Sequence, residues 1–422
     1  MISFFLAKRF FSSEQHNSSP EKNNNKASRP AIRIATGGII VGLAIMIISL
    51  CFVKGFQDEI RKKLTGFTSH IELLNIKSFS SPEDHPIFVG GQLVKQLQNI
   101  DQCEHIQRVS NKIGVIKTQN DFAGIILKGI GKDYDTSFLK KHIIEGSVPD
   151  FLDDKASNQV VISRTLAETL NLKVGDRIYS YFFSETIKQR RFTIAAIYDT
   201  HMPQFDKSVV WTDLYTVNRL NGWNSQQFSK LEIQLKSFDD IESAKGKISN
   251  IIFSDKKNQF KDYSLLSIKE NPNTASVLSW LELLDFNVFI ILIIMIGVAG
   301  FTMISGLLIL ILERTYTIGI LKTLGCTNSR VQQTFLWYSS FIVLRGMLWG
   351  NIIGILIVGI QYSYKLIQLN PEIYYIDYVP VKLDMMSILI LNVACLLIIM
   401  ILLVIPSLFV TRIEPAKSIK FD

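Results

Sequence analysis

Six histidines (His16, His70, His85, His105, His142, His201) and four cysteines (Cys51, Cys103, Cys326, Cys395) are the side chains of this 422-residue sequence best able to ligate a metal or attack a substrate. Their spacing suits neither task. There is no H-E-x-x-H, no C-x-x-C and no G-x-S-x-G, and the histidines are dispersed. Cys51 and Cys395 lie in apolar blocks, Cys326 in a short loop and only Cys103 in the large polar region, so neither a disulfide framework nor a zinc site is implied. No G-x-x-x-x-G-K-S/T loop is present to cradle a nucleotide phosphate. The reading is of a chain with no catalytic residue, no metal and no cofactor. One segment has a usable pattern: Glu313 to Arg330, ERTYTIGILKTLGCTNSR. A charge pair, Glu313–Arg314, precedes an apolar stripe of Ile318, Leu321 and Leu324. Gly325 is the expected stop, and Thr327 or Asn328 starts the next helix. Such a short amphipathic helix can dock in the groove of a soluble partner or rest on lipid headgroups, and composition leaves both open.

The elements around that segment are set by where charge is missing. The sequence is 48% apolar with 19% charged residues and a net charge of +8, which would suit nucleic acid or anionic lipid equally. Uncharged blocks of membrane length decide for lipid, and exclude both a soluble enzyme and a nucleic-acid partner. Residues 34–53, 286–312 and 385–411 contain no Asp, Glu, Lys or Arg, and a bilayer core takes about 20 helical residues. A fourth block, 335–364, contains Arg345. Gly346–Tyr364 is long enough to span alone, so Arg345 is expected at the inner interface, with Val331–Leu344 as a helical lead-in. The basic residues Lys8, Arg9, Lys22, Lys26, Arg29 and Arg33 keep segment 1–33 in the cytoplasm. Four spans then place 54–285 outside, 313–330 inside, 365–384 outside and the tail 412–422 inside. Mid-span Asp, Glu, Lys and His are absent, so ion-coupled transport has no relay. Gly38 and Gly42 on the first span, and Gly346, Gly350 and Gly354 on the third, are spaced to let helices approach closely.

The region 54–285 mixes strand and helix signals. Phe56–Leu64 continues the first span as an amphipathic helix, and Ser69–Leu74 reads as a strand. In VVISRTLAETLNLKVGDRI a strand at 160–162 leads to Ser163 as the N-cap of a helix, then to a Gly175–Asp176 turn and a strand at 177–183. Further strands are expected at 191–200 and 231–236, and Ile241, Ala244, Ile248 and Ile252 give 238–253 helical spacing. The expected fold is an α-helical membrane protein of four transmembrane helices with a large α/β extracytoplasmic domain between the first and second. Residues 11–30 read as a polar linker, and ISFFLAKRFF before them as a stretch able to lie on the membrane surface.

ERTYTIGILKTLGC resembles the cytoplasmic coupling segment of FtsX-like, MacB-type ABC permeases. Three further matches point to lipoprotein-releasing (Lol-type) permeases: the 160–178 stretch, PEIYYIDYVPV (371–381), and the ending PSLFVTRIEPAKSIKFD. The resemblance implies a MacB-type periplasmic core domain and a bacterial inner-membrane location with both termini cytoplasmic. It implies a permease subunit that acts with cytoplasmic ABC ATPases and a second permease subunit, in a homo- or heterodimer. Membrane lipids surround it, and the work implied is to lift lipoprotein substrates from the inner membrane and pass them to a periplasmic carrier. Glu313, Arg314, Ile318, Gly319, Leu321, Lys322, Leu324 and Gly325 would then couple to the ATPase, with Ile318, Leu321 and Leu324 entering its groove. Leu50, Val53 and Phe56 with Met303 and Leu307 would line a lateral path for acyl chains. Residues 179–190 are too short for the extended hairpin of carrier-recruiting members, so either this is the partner-type subunit or carrier docking differs. A MacB-type efflux permease, an FtsX-type regulator of an external hydrolase and a scaffold without an ATPase remain the alternatives.

Overall fold

The computed structural model describes residues 4, 5, 7, 28–119, 121–184, 186–253 and 260–409. They form two units. One comprises the chain up to Gln57, Glu282–Gln368 and the part from Tyr378 on; the other comprises Asp58–Leu281 with Leu369–Asp377.

Four helices are long and apolar enough to cross a membrane: Ser28–Phe67, Pro272–Glu313, Asn328–Tyr364 and Met385–Ser407, called spans 1 to 4. Each contains its expected apolar block, and three are longer than it. Charge ends an apolar run without ending a helix. Span 2 therefore starts at Pro272 and carries Glu282 and Asp285 within it, 14 residues before the apolar block at 286. Likewise span 3 is one helix that includes the lead-in and Arg345. Spans 1, 2, 3 and 4 share one apolar core that includes Ile39, Leu43 and Ile47, Met303 and Leu307, Val343 and Met347, and Cys395 and Ile399.

The second unit is built on strands β1 (Ile71–Asn75), β2 (Ile87–Phe88), β3 (Cys103–Lys117), β4 (Phe122–Ile130), β5 (Ile143–Gly146), β6 (Gln159–Ser163), β7 (Arg177–Phe182), β8 (Lys188–Tyr198), β9 (Val209–Asp213), β10 (Gln227–Phe228), β11 (Lys230–Leu235) and β12 (Tyr263–Ser267). The main sheet runs β12-β1-β11-β3-β4-β9-β6-β8-β5, and β7 pairs with both β3 and β8. That second pairing closes β3-β4-β9-β6-β8-β7 into a six-stranded ring. Its interior is filled by Ile116, Leu127, Val160, Phe182, Phe192 and Val210, with Leu166 and Val217 from the two helices that follow β6 and β9. Side-chain alternation explains the filling: in β3, Gly114 and Ile116 face in while Ile113 and Lys117 face out.

The local signals formed as their chemistry requires. Ser163 Oγ accepts from Leu166 N at 3.0 Å as an N-cap, and Asp213 Oδ1 does the same for Thr216 N at 2.7 Å. Helix Ile241–Phe253 buries Ile241, Ala244, Ile248 and Ile252. With Gly91–Gln98 it covers one face of the β12-β1-β11-β3 half. The opposite face of that half is polar yet buried. On β11, Leu231, Ile233 and Leu235 alternate with Lys230, Glu232 and Gln234. The alternating set meets the end of span 1: Gln234 Nε2 donates to Thr65 O at 2.9 Å and Lys128 Nζ to Phe67 O at 2.6 Å. Lys128 also reaches Glu232 at 2.9 Å, while Lys230 reaches Glu72 at 2.6 Å and Glu232 at 3.3 Å. Gln107 donates to Glu232 at 2.8 Å. The two ammonium groups hold the Glu232 carboxyl below its usual range despite burial, which alone would raise it; burial lowers Lys128.

Candidate functional site

Between spans 2 and 3 the chain turns at Arg314 and forms a nine-residue helix, Thr315–Thr323. Its end is a Schellman motif. Cys326 N donates to Leu321 O and Gly325 N to Lys322 O, each at 3.0 Å, and Gly325 has φ +85°, which a side chain would strain. Thr327, extended at φ −69° and ψ 149°, then opens span 3.

The connecting helix has two apolar stripes. Ile318 is 1% exposed and Leu321 half-buried; with Leu310, Val331, Phe335 and Tyr338 they line a cleft of ≈ 410 Å³ in the chain's own bundle. Tyr316, Ile320 and Leu324, four residues apart, are 60%, 38% and 79% exposed. This corrects the expected docking face: of Ile318, Leu321 and Leu324, only Leu324 points outward. The helix is apolar on two sides, and the foot of span 3 takes the 318/321 side. Gly319 is buried beside Ile318, Glu313 is exposed at the end of span 2, and Arg314 is half-buried. Partial burial lowers the Lys322 ammonium below its ordinary value.

The glycines sit at helix contacts. A Cβ on Gly346 would lie 3.0 Å from Ile39, on Gly350 3.0 Å from Leu43, and on Gly354 3.2 Å from Ile47 and 3.3 Å from the Ala44 backbone. Gly38 faces Thr302 at 2.9 Å, and Gly42 faces Met295 and Ala299 at 3.7 and 3.8 Å. Counting charges missed two features here. Asn351 and Asn392 exchange amide hydrogen bonds of 2.7 and 2.9 Å between spans 3 and 4. Each also donates to the carbonyl four residues earlier, Met347 or Ile388, at 2.8 Å. Gly55 lies so close to the 378–384 strand of chain that a Cβ would fall 2.6 Å from Pro380 O. There Lys382 N donates to Cys51 O at 3.0 Å, and Lys54 pairs with Asp384 at 2.6 Å.

The five residues expected to line an acyl-chain path do not form one. Val53, Phe56, Met303 and Leu307 are all under 9% exposed, and Leu50 is half-buried. They also fall in two groups. Span 2 runs opposite to span 1, and the Gly38–Thr302 contact puts Met303 near the Arg33 end. Leu50 is 12 residues beyond Gly38, roughly 18 Å along the helix. The expectation overlooked that reversal of direction.

The histidines make separate local hydrogen bonds, as His70 does to Gln234 and His142 to Phe138 O. Among the described residues no group of three His, Cys, Asp or Glu is placed to hold a metal. The tail from 410, the basic residues Lys8, Arg9, Lys22 and Lys26, and most of the linker lie outside the described residues. The β7–β8 hairpin closes through five residues, 183–187, and β8 begins at Lys188 rather than at 191.

Comparison with known proteins fits this architecture. The sequence matches the MacB-like periplasmic core domain over residues 34–251 and the FtsX-like permease C-terminal domain over 288–415. The lipoprotein-releasing system transmembrane protein LolE of Haemophilus influenzae is 23% identical over 403 residues, 90% of this chain and 92% of that protein. The corresponding LolC of Neisseria meningitidis is 21% identical over 408 residues, 92% and 94% of the two chains. An uncharacterized ABC transporter permease of Methanocaldococcus jannaschii is 26% identical over 360 residues, 80% and 82%. Among solved structures, the extracellular domain of the noncanonic ABC-type transporter YknZ from Gram-positive bacteria is 17% identical. It covers 47% of this chain and 99% of its own, with a TM-score of 0.33. The periplasmic region of MacB from Actinobacillus actinomycetemcomitans is 12% identical, covering 50% and 92%, also at 0.33. The first domain match takes in more than half of the sequence and the second nearly all of the rest beyond it, so the chain belongs to the family of membrane permeases that join a MacB-like periplasmic core domain to an FtsX-like permease domain.

Proposed function

We propose that this chain is the membrane subunit of an ABC transporter that extracts lipoproteins from the bacterial inner membrane for transfer to the outer membrane. A separate cytoplasmic ATPase supplies the energy, a second permease subunit completes the membrane part, and both termini are cytoplasmic. The relatives named as lipoprotein-releasing proteins align with nine-tenths of the chain, and the sequence has no phosphate-binding loop of its own.

The observation that carries the reading is the division of labour on the connecting helix. Ile318 and Leu321 fasten it to the bundle, while Tyr316, Ile320 and Leu324 stand out from it. A partner that grips the outward stripe moves the feet of spans 2 and 3 through the inward one. Full burial of an aliphatic side chain is worth about 1.5–3 kcal/mol, so Ile320 and Leu324 can supply most of the contact. Lys322 at the rim adds little.

In the reconstituted complex, Leu324→Asp and Ile320→Asp should abolish ATPase binding and lipoprotein-stimulated ATP hydrolysis, whereas Lys322→Ala should be mild. Intact binding and stimulation in both Asp variants would refute the lever. Purification of the complex separates the alternatives: lipoprotein with ATPase supports this reading, and a hydrolase with ATPase supports a regulator.

A further inference from the structure

Arg345 is the charge that the coupling argument leaves unused. It is exposed on span 3 and has no hydrogen-bond or ion-pair partner among the described residues. Leu344 and Leu348 beside it are 49% and 58% exposed, so this face of the helix meets lipid.

Its depth follows from the glycine contacts. Gly346 packs on Ile39 and lies 3.5 Å from Thr36 O; Gly350 and Gly354 pack on Leu43 and Ile47 in ascending order. Spans 1 and 3 therefore run in the same direction, and Arg345 is level with Thr36–Ile39. That is about one helical turn, ~5 Å, past Arg33, the last charge before the first apolar run. Side chains lean toward the N-terminus of their own helix, and the N-terminal end of span 3 lies on the Arg33 side. The guanidinium thus extends back to the headgroup level. Below it, one and two turns earlier, are Phe341 and Trp337, and the Phe4 ring packs on them at 5.7 and 5.3 Å. Rings of this kind occupy the membrane–water interface.

We propose that Arg345 is the phosphate-binding group of a lipid site in the leaflet on the Arg33 side, taking an anionic phospholipid over the Phe4–Trp337–Phe341 surface. The planar guanidinium suits a phosphate diester, and an anionic headgroup has no cation of its own to compete with it. The site rests on the four spans alone and stands or falls independently of the ATPase.

The test uses the full chain in nanodiscs of mixed phosphatidylglycerol and phosphatidylcholine, with retained lipid counted by native mass spectrometry. The wild type should keep phosphatidylglycerol preferentially. Arg345→Gln should lose it, with apparent affinity falling about tenfold, the value of one charge-assisted pair. Arg345→Lys should keep most of it, and Arg345→Gln should melt normally without the anionic lipid because the side chain is exposed. Unchanged retention in Arg345→Gln overturns the proposal, and so does an equal loss in Arg33→Gln, which would show a diffuse charge effect. Displacement by excess inorganic phosphate overturns the lipid assignment. Crosslinking from position 345 only to another protein chain, with no lipid kept, overturns it in favour of a subunit contact.

Discussion

Removing one charge from the buried network under span 1 should damage the extracytoplasmic fold more than removing two. Lys128 is 5% exposed at its side chain and Glu232 fully buried, 2.9 Å apart. Lys128→Met leaves Glu232 with Lys230 at 3.3 Å and Gln107 at 2.8 Å, so the loss should be near the low end for a broken buried pair, about 3 kcal/mol. Glu232→Leu leaves the Lys128 ammonium with only the Phe67 carbonyl, the Tyr134 hydroxyl and two aromatic faces, and should reach about 5 kcal/mol. The double variant strands only neutral groups, chiefly the Phe67 carbonyl and the Gln107 amide, for about 2 kcal/mol. Near-UV circular dichroism of the full chain in detergent reads this through buried Trp211. At roughly 2–4 °C per kcal/mol, the melting temperature should fall by about 6–12 °C, 10–20 °C and 4–8 °C in turn. The pH dependence carries the same sign. Glu232 is held below its ordinary 4.5, so its contribution is complete above that pH and fades as the pH falls through the lower folded value. Glu232→Leu should lack this acid loss. A double variant as unstable as the sum of the singles would refute the argument.

The remaining predictions concern packing. Gly350→Leu drives a side chain into Leu43 and the Ile40 carbonyl, 3.0 and 3.1 Å from its Cβ, and should sharply lower the yield of folded protein in size-exclusion chromatography. Gly55→Ala puts a methyl against the Pro380 and Val381 backbone, neither of which can rotate away, and should increase protease cleavage between 378 and 384. Asn351→Leu leaves Asn392 without its partner in the apolar bundle and should destabilise the chain by about 1–2 kcal/mol in steric-trap or denaturant unfolding. Residues 58–281, freed of the spans, should be soluble and monomeric, and aggregation in detergent-free buffer would count against that boundary.

What could be read from sequence was what depends on neighbours along the chain. The Ser163 cap, the Gly175 turn, the Ile241–Ile252 stripe and the Gly325 stop all act within a few residues and formed as expected. Contacts between distant elements were not legible. The connecting helix offers two apolar stripes, and only the docking of Val331 and Phe335 decides that Ile318 turns inward. Met303 was read without regard to the direction of its span, and the Asn351–Asn392 pair carries no charge to draw notice. The span 2 extension was hidden because Glu282 and Asp285 interrupt hydropathy while leaving helix propensity intact.

The closed strand ring sets an order of events as well as a shape. Residues 114–117 of β3 complete it by pairing with 179–182 of β7, partners 62 to 68 positions apart. Such distant pairings form slowly, because the intervening chain must first be confined. Until β7 arrives, β3 offers an unpaired backbone edge, with Lys117 at its end as a charged deterrent to wrong pairing. The danger of aggregation for this domain therefore belongs to a brief interval after synthesis, and disappears once the last strand closes the ring.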